Sequence, residues 1–162
     1  MPDAYIGLGS NLADPRAQVE RALQSLARLP QTRLLRSSRL YRSAPWGVLD
    51  QPEFINAAAA LDTALSPHDL MQALLGIERE AGRDRGGERW GPRILDLDLL
   101  QYGALRLAEP GLQLPHPHLH ERAFVLLPLA EIAPHLDVPG RGPISALLAN
   151  IDTTGCHLIE TA

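Results

Sequence analysis

Phe54-Ile55-Asn56-Ala57-Ala58-Ala59-Ala60-Leu61 is an apolar run of strand length, stopped by Asp62. On its N-terminal side, Ala44-Pro45-Trp46-Gly47 and Asp50-Gln51-Pro52 mark a long punctuated loop. Before that loop, residues 33–42 partly alternate polar and apolar, so the two segments could pair as an irregular hairpin. Further back, Ala4-Tyr5-Ile6-Gly7-Leu8-Gly9-Ser10-Asn11 reads as a short strand ending in a glycine-containing turn. Asp14-Pro15 then supplies a cap and a first-turn proline for a helix with Val19, Ala22, Leu23 and Leu26 on one stripe. On the C-terminal side, Ser66-Pro67-His68-Asp69 has the form of a capping box. Leu70, Met71, Leu74, Leu75 and Ile77 follow at helical spacing, predicting a helix to about Ala81. Residues 82–93 are polar and glycine-rich without a period, which predicts a mobile loop. Residues 94–102 are strand-like, Leu114-Pro115-His116-Pro117-His118 is broken by proline, and residues 124–132 return to a helical pattern. Strand, helix, strand, strand, helix, strand is the order of an α+β fold with a ferredoxin-like core. Its antiparallel sheet would be covered by helices in three layers, α/β/α.

Composition narrows the function. The chain has 162 residues, 45% of them hydrophobic, which suits one domain spanning residues 1–162. A net charge of −4 gives no general attraction to nucleic acid or anionic membrane. Cys156 is alone, the opening residues lack the layout of a secretory signal, and no apolar run approaches the roughly 18 residues of a membrane span. A soluble, cytoplasmic monomer is expected. All 15 residues counted as lysine plus arginine are arginine, so a P-loop lysine and Schiff-base chemistry are excluded. A phosphate site would have to be built from arginine, backbone amides and metal.

Leu95-Asp96-Leu97-Asp98-Leu99-Leu100 is the sharpest local feature, because residues two apart on a strand share a face. Two carboxylates on one face of an apolar strand repel unless a cation lies between them. Magnesium commonly takes one or two carboxylates and fills its shell with water and phosphate; a solvated polar face is the alternative. Arg83, Arg85, Arg89 and Arg93 lead into this strand, and polyphosphate is their natural shared partner, although Asp84 and Glu88 could neutralise half of them. His116, between prolines, could donate to a phosphate or act as an acid, and Arg122 could reach the same anion. Glu78 falls on the stripe of Leu74 and Leu75, where a ligand or an arginine partner explains a carboxylate better than solvent does. Phe54 and Phe124 are the only phenylalanines; they could sandwich a planar heterocycle or simply fill core. Asn56 shares a strand face with Phe54 and offers donor and acceptor to an amide-like ring edge. Trp46 and Trp90, flanked by Gly or Pro, suit lid positions.

These segments closely resemble the dihydropterin pyrophosphokinase family. Arg89-Trp90-Gly91-Pro92-Arg93-Ile94-Leu95-Asp96-Leu97-Asp98 is a long and specific match. It is supported by residues 5–12, by Gln51-Pro52-Glu53-Phe54-Ile55-Asn56-Ala57-Ala58, by Pro115-His116-Pro117 and by Arg122-Ala123-Phe124-Val125. The resemblance implies pyrophosphate transfer from ATP to the hydroxymethyl group of 6-hydroxymethyl-7,8-dihydropterin in folate biosynthesis, with release of AMP and two Mg²⁺ ions as cofactor. It implies Asp96 and Asp98 as metal ligands, catalytic together with Arg83 and Arg93. Glu78, Arg85, Arg89, Trp90, Arg93, Leu99, His116 and Arg122 would bind ATP. Ser43, Ala44, Pro45, Trp46, Phe54, Asn56, Asp96 and Phe124 would surround the pterin. Ser43, Trp46 and Phe54 stand where threonine, leucine and tyrosine are familiar; Leu75, Gly86 and Pro117 replace glutamine, lysine and tyrosine. Other readings of the same pattern are a different nucleotide enzyme on this scaffold, an RNA-binding sheet and an inactive relative. The acidic balance, the scarcity of aromatics, and the intact Asp96, Asp98 and Arg93 argue against the last two.

Overall fold

The computed structural model describes residues 3–12, 14–43, 53–82 and 95–159. In chain order the elements are β1 (Asp3–Ser10), α1 (Pro15–Ala27), β2 (Thr32–Ser37), β3 (Tyr41–Ser43), β4 (Phe54–Thr63), α2 (Pro67–Glu80) and β5 (Asp96–Tyr102). They continue with β6 (Leu107–Glu109), β7 (Leu112–Leu114), α3 (Ala123–Ile132), β8 (Asp137–Val138), β9 (Gly142–Pro143), α4 (Ile144–Ala149) and β10 (Cys156–Leu158).

The first two helices, α1 and α2, begin where the sequence supplies caps. Asp14 adopts a left-handed conformation, φ 61°, and its carboxylate accepts from the Ala17 N–H with Pro15 at the first turn. Ser66 accepts from the Asp69 N–H at 3.1 Å ahead of α2. β1 is buried almost throughout because it is central: β4 and β5 flank it, both antiparallel. The six-stranded sheet runs β10-β3-β4-β1-β5, and β2 also pairs with β4. β2 and β3 lie end to end along the same side of β4, which is the irregular hairpin expected from residues 33–42.

Alternation then makes two cores from one sheet. Ile6, Leu8, Ala57, Ala59, Leu61, Leu97 and Leu99 face Val19, Ala22 and Leu26 of α1 and Leu70, Leu74 and Ile77 of α2. Tyr5, Ala58, Ala60 and Leu100 face Val125, Leu126, Leu129 and Ile132 of α3 and Ile144 of α4. This is the three-layer, ferredoxin-like arrangement expected. The alanines of β4 divide between both faces. Fully burying one leucine is worth about 1.5–3 kcal/mol, and both layers draw on many.

One irregularity matters for the site. Ile6 pairs with Leu99 but Tyr5 pairs with Gln101, so Leu100 is an extra residue on β5. Its carbonyl accepts from the His116 N–H at 2.8 Å, tying the proline-broken segment to the strand that carries the two aspartates. The Leu114-Pro115 bond within that segment is cis. The hairpin of β6 and β7, the short β8 and β9, α4 and the edge strand β10 were not read from the sequence. Among the described residues no helix is long and apolar enough to cross a membrane.

Candidate active site

Sheet register assembles the site. Gly9 on β1 stands opposite Asn56 on β4 and Asp96 on β5; one step inward, Gly7 stands opposite Ala58 and Asp98. Leu97 and Leu99 face α1 and α2, so Asp96 and Asp98 project together from the other face, both half-buried. Between Asn56 and Asp96 lies backbone without a side chain, because the middle residue is glycine.

Asn56 is 2% exposed. Its Nδ2 donates to Ser43 Oγ at 2.7 Å and to the Phe54 carbonyl at 3.5 Å. A carbonyl can only accept, so the contact with Phe54 favours Nδ2 on that side, and Oδ1 is placed toward Gly9. Phe54 and Phe124 are both partly buried, not sealed in core as phenylalanine usually is. Phe124 opens α3 on the same sheet face, with the Arg122 guanidinium 5.6 Å from its ring centroid.

His116 Nε2 lies 3.9 Å from Asp98 Oδ1. Burial, then the charges of Arg122 and His118, lower its pKa to about 4, so near pH 7 the ring is neutral and this contact is not an ion pair. Nδ1 accepts from the His118 N–H at 3.2 Å, which places the proton on Nε2, toward Asp98. His116 is therefore a neutral donor at the edge of the carboxylate pair. Glu78, 1% exposed, reaches from α2 to accept from the Leu97 N–H at 2.7 Å, on the residue between the two aspartates.

A cavity of about 250 Å³ adjoins Asp98, lined by Met71, Leu99, Glu109, Gly111, Leu112, Gln113, His116 and Pro117. It joins two residues expected at the nucleotide, Leu99 and His116, to a wall from α2, β6 and β7 that sequence reasoning missed. The one legible signal for that wall was the turn pair Pro110-Gly111. Ala44, Pro45, Trp46, Arg83, Arg85, Arg89, Trp90 and Arg93 lie outside the described residues.

The donor set suits magnesium. Among the described residues no group of three or more His, Cys, Asp or Glu side chains is gathered for a metal. Two hard oxygen donors beside an open cavity match an ion that completes its shell with phosphate and water, and do not match an all-protein cage.

The family model described as 7,8-dihydro-6-hydroxymethylpterin-pyrophosphokinase matches residues 5–134. The chain belongs to that family. A Pseudomonas aeruginosa protein named 2-amino-4-hydroxy-6-hydroxymethyldihydropteridine pyrophosphokinase is 54% identical over 158 residues, 98% of this chain and 97% of its own length. A Methylorubrum extorquens protein of the same name is 46% identical over 160 residues, covering 99% of this chain and all of its own. The fold is shared with the Plasmodium falciparum HPPK-DHPS structure with pterin and p-hydroxybenzoate, at a TM-score of 0.75 and 14% identity. That match covers 99% of this chain but only 45% of the longer polypeptide, and it carries the fold alone.

Proposed function

We propose that the cavity beside Asp98 takes the nucleoside of ATP, that Asp96 and Asp98 hold magnesium, and that Phe54, Asn56 and Phe124 take the pterin, with Ser43 holding the Asn56 amide in place. The chain is a pyrophosphokinase of folate biosynthesis. It moves pyrophosphate from ATP to the hydroxymethyl group of 6-hydroxymethyl-7,8-dihydropterin and releases AMP. The row Asn56, Gly9, Asp96 carries the assignment of the site. Two strand spacings, about 10 Å, separate a ring-edge acceptor from a metal-ligating carboxylate, with bare backbone between them. A flat bicycle gripped at Asn56 thereby points its hydroxymethyl arm at the phosphates.

In the reaction the hydroxymethyl oxygen bonds to the β-phosphorus in line as the bond from that phosphorus to the α,β-bridging oxygen breaks; the bridging oxygen leaves with AMP and the hydroxyl proton passes to solvent. Magnesium, when bound, supplies charge neutralisation on the phosphate oxygens. The chain's own residues position and donate. Phe54 and Phe124 hold the ring plane, Asn56 the ring edge, and neutral His116 donates from Nε2 to a phosphate oxygen. Arg122, together with Arg83, Arg85, Arg89 and Arg93 just upstream of β5 in sequence, offsets triphosphate charge, and Trp90 joins them in binding ATP. Trp46, with the backbone of Ala44 and Pro45, completes the pterin edge.

The test is to mix the protein with Mg·ATP and the dihydropterin and resolve the adenine nucleotides by chromatography. AMP that appears only with pterin present is expected; ADP, or no turnover by folded protein, refutes the reading. Phe124→Ala should raise the pterin KM about tenfold with the ATP KM nearly unchanged, because the stacking contact is lost on one substrate only. A single-domain cytoplasmic monomer completes the proposal. It is supported by the fact that, among the described residues, Leu105 and Leu158 are the only exposed large hydrophobics. Light scattering should then return a mass near 17.7 kDa.

A further inference from the structure

We infer that Gly9 is a specificity-determining position for the pterin: its missing side chain keeps Asn56 Oδ1 uncovered, so the site accepts a flat ring whose edge presents an N–H donor. The inference rests on the pterin reading above. Gly9, the next-to-last residue of β1, is not among the glycines with positive φ, so its role lies in what a Cβ would meet. A Cβ there would sit 3.3 Å from Asn56 Oδ1 and 3.9 Å from Phe54 Cδ1. The first distance is tight, and Asn56 has little room to yield. It is 2% exposed, and its Nδ2 is committed to Ser43 Oγ and the Phe54 carbonyl.

The same commitment decides polarity. With Nδ2 used inside the protein and no described residue donating to Oδ1, Asn56 meets a ligand as an acceptor only. A methyl group at position 9 would narrow the slot for the ring and cover that acceptor, leaving a ligand N–H without its partner. Gly7, the other glycine on this face, differs. The nearest atoms to a Cβ there belong to the Leu100 side chain, at 3.4 Å and beyond, which is ordinary contact. The discriminating position is therefore Gly9, and Ser43 is the positioning residue behind it.

The experiment compares wild type, Gly9→Ala and Ser43→Ala by AMP release, varying pterin at saturating Mg·ATP and then varying ATP at saturating pterin. Thermal unfolding is followed alongside. For Gly9→Ala a rise of about tenfold or more in pterin KM is expected, with ATP KM within about twofold and an unshifted melting transition. Ser43→Ala, which frees the Asn56 amide to turn, should also raise pterin KM alone, and it carries the test if Gly9→Ala fails to fold. An unchanged pterin KM in either folded variant overturns the inference while leaving the proposed reaction standing. Equal increases in both KM values overturn it too, since the damage would then be to the sheet. A wild-type protein that makes no AMP from pterin overturns both.

Discussion

Asp98→Ala, and separately Asp96→Ala, should cut turnover about a thousandfold while leaving the protein folded. The size follows from what the pair is asked to do. Metal-assisted charge stabilisation is worth several kcal/mol, and about 4 kcal/mol is a factor near a thousand in rate. Both aspartates lie outside the two apolar clusters, half-buried on a sheet face, and the Asp98 side chain keeps 34% of its exposure. Alanine also removes mutual repulsion between carboxylates two residues apart, so the melting temperature should stay within a few degrees of wild type. Turnover is measured at saturating Mg·ATP and pterin, with circular dichroism recording the fold. Near-wild-type turnover in either variant would sink the metal assignment. Loss of turnover together with loss of the cooperative transition would mean that the pair supports structure first.

What the sequence made legible was whatever has a short period. Asp96 and Asp98 share a face because they are two apart, and Leu70, Leu74 and Ile77 share one because of helical spacing. The element order followed from turns, caps and these periods. Register has no such signature. Nothing local places Gly9 between Asn56 and Asp96, since that row depends on three strands that are far apart in sequence pairing in one particular alignment. The bulge at Leu100 was hidden for the same reason, and with it the bond that holds His116 beside Asp98. β8, β9 and β10, of two or three residues each, are too short to show alternation, so the tail and the outer edge of the sheet stayed unread. The phenylalanines could be judged only by burial: sequence leaves core as their default, and partial exposure favours the stacking role.

Glu78 tests whether a buried charge serves the nucleotide or the strand. The resemblance places it at ATP, yet its Oε2 accepts from the Leu97 N–H at 2.7 Å and the residue is 1% exposed. Among the described residues β5 is the last strand on its side of the sheet, so this carboxylate takes the N–H that a further strand would otherwise take. Glu78→Ala would leave that N–H without the acceptor and open a void where a side chain 1% exposed now sits. The two effects together cost about 3 kcal/mol, or roughly 10 °C in melting temperature for a chain of this size. Loosening β5 between its two aspartates should also lower turnover about a hundredfold, the scale on which small misplacements of catalytic groups act. Glu78→Gln keeps an acceptor oxygen of the same reach and should recover most of both losses. Scanning calorimetry with kinetics on the two variants separates the roles. A purely nucleotide-binding Glu78 would raise the ATP KM in Glu78→Ala and leave the melting temperature in place. A strand anchor lowers the melting temperature and turnover together, and glutamine restores both.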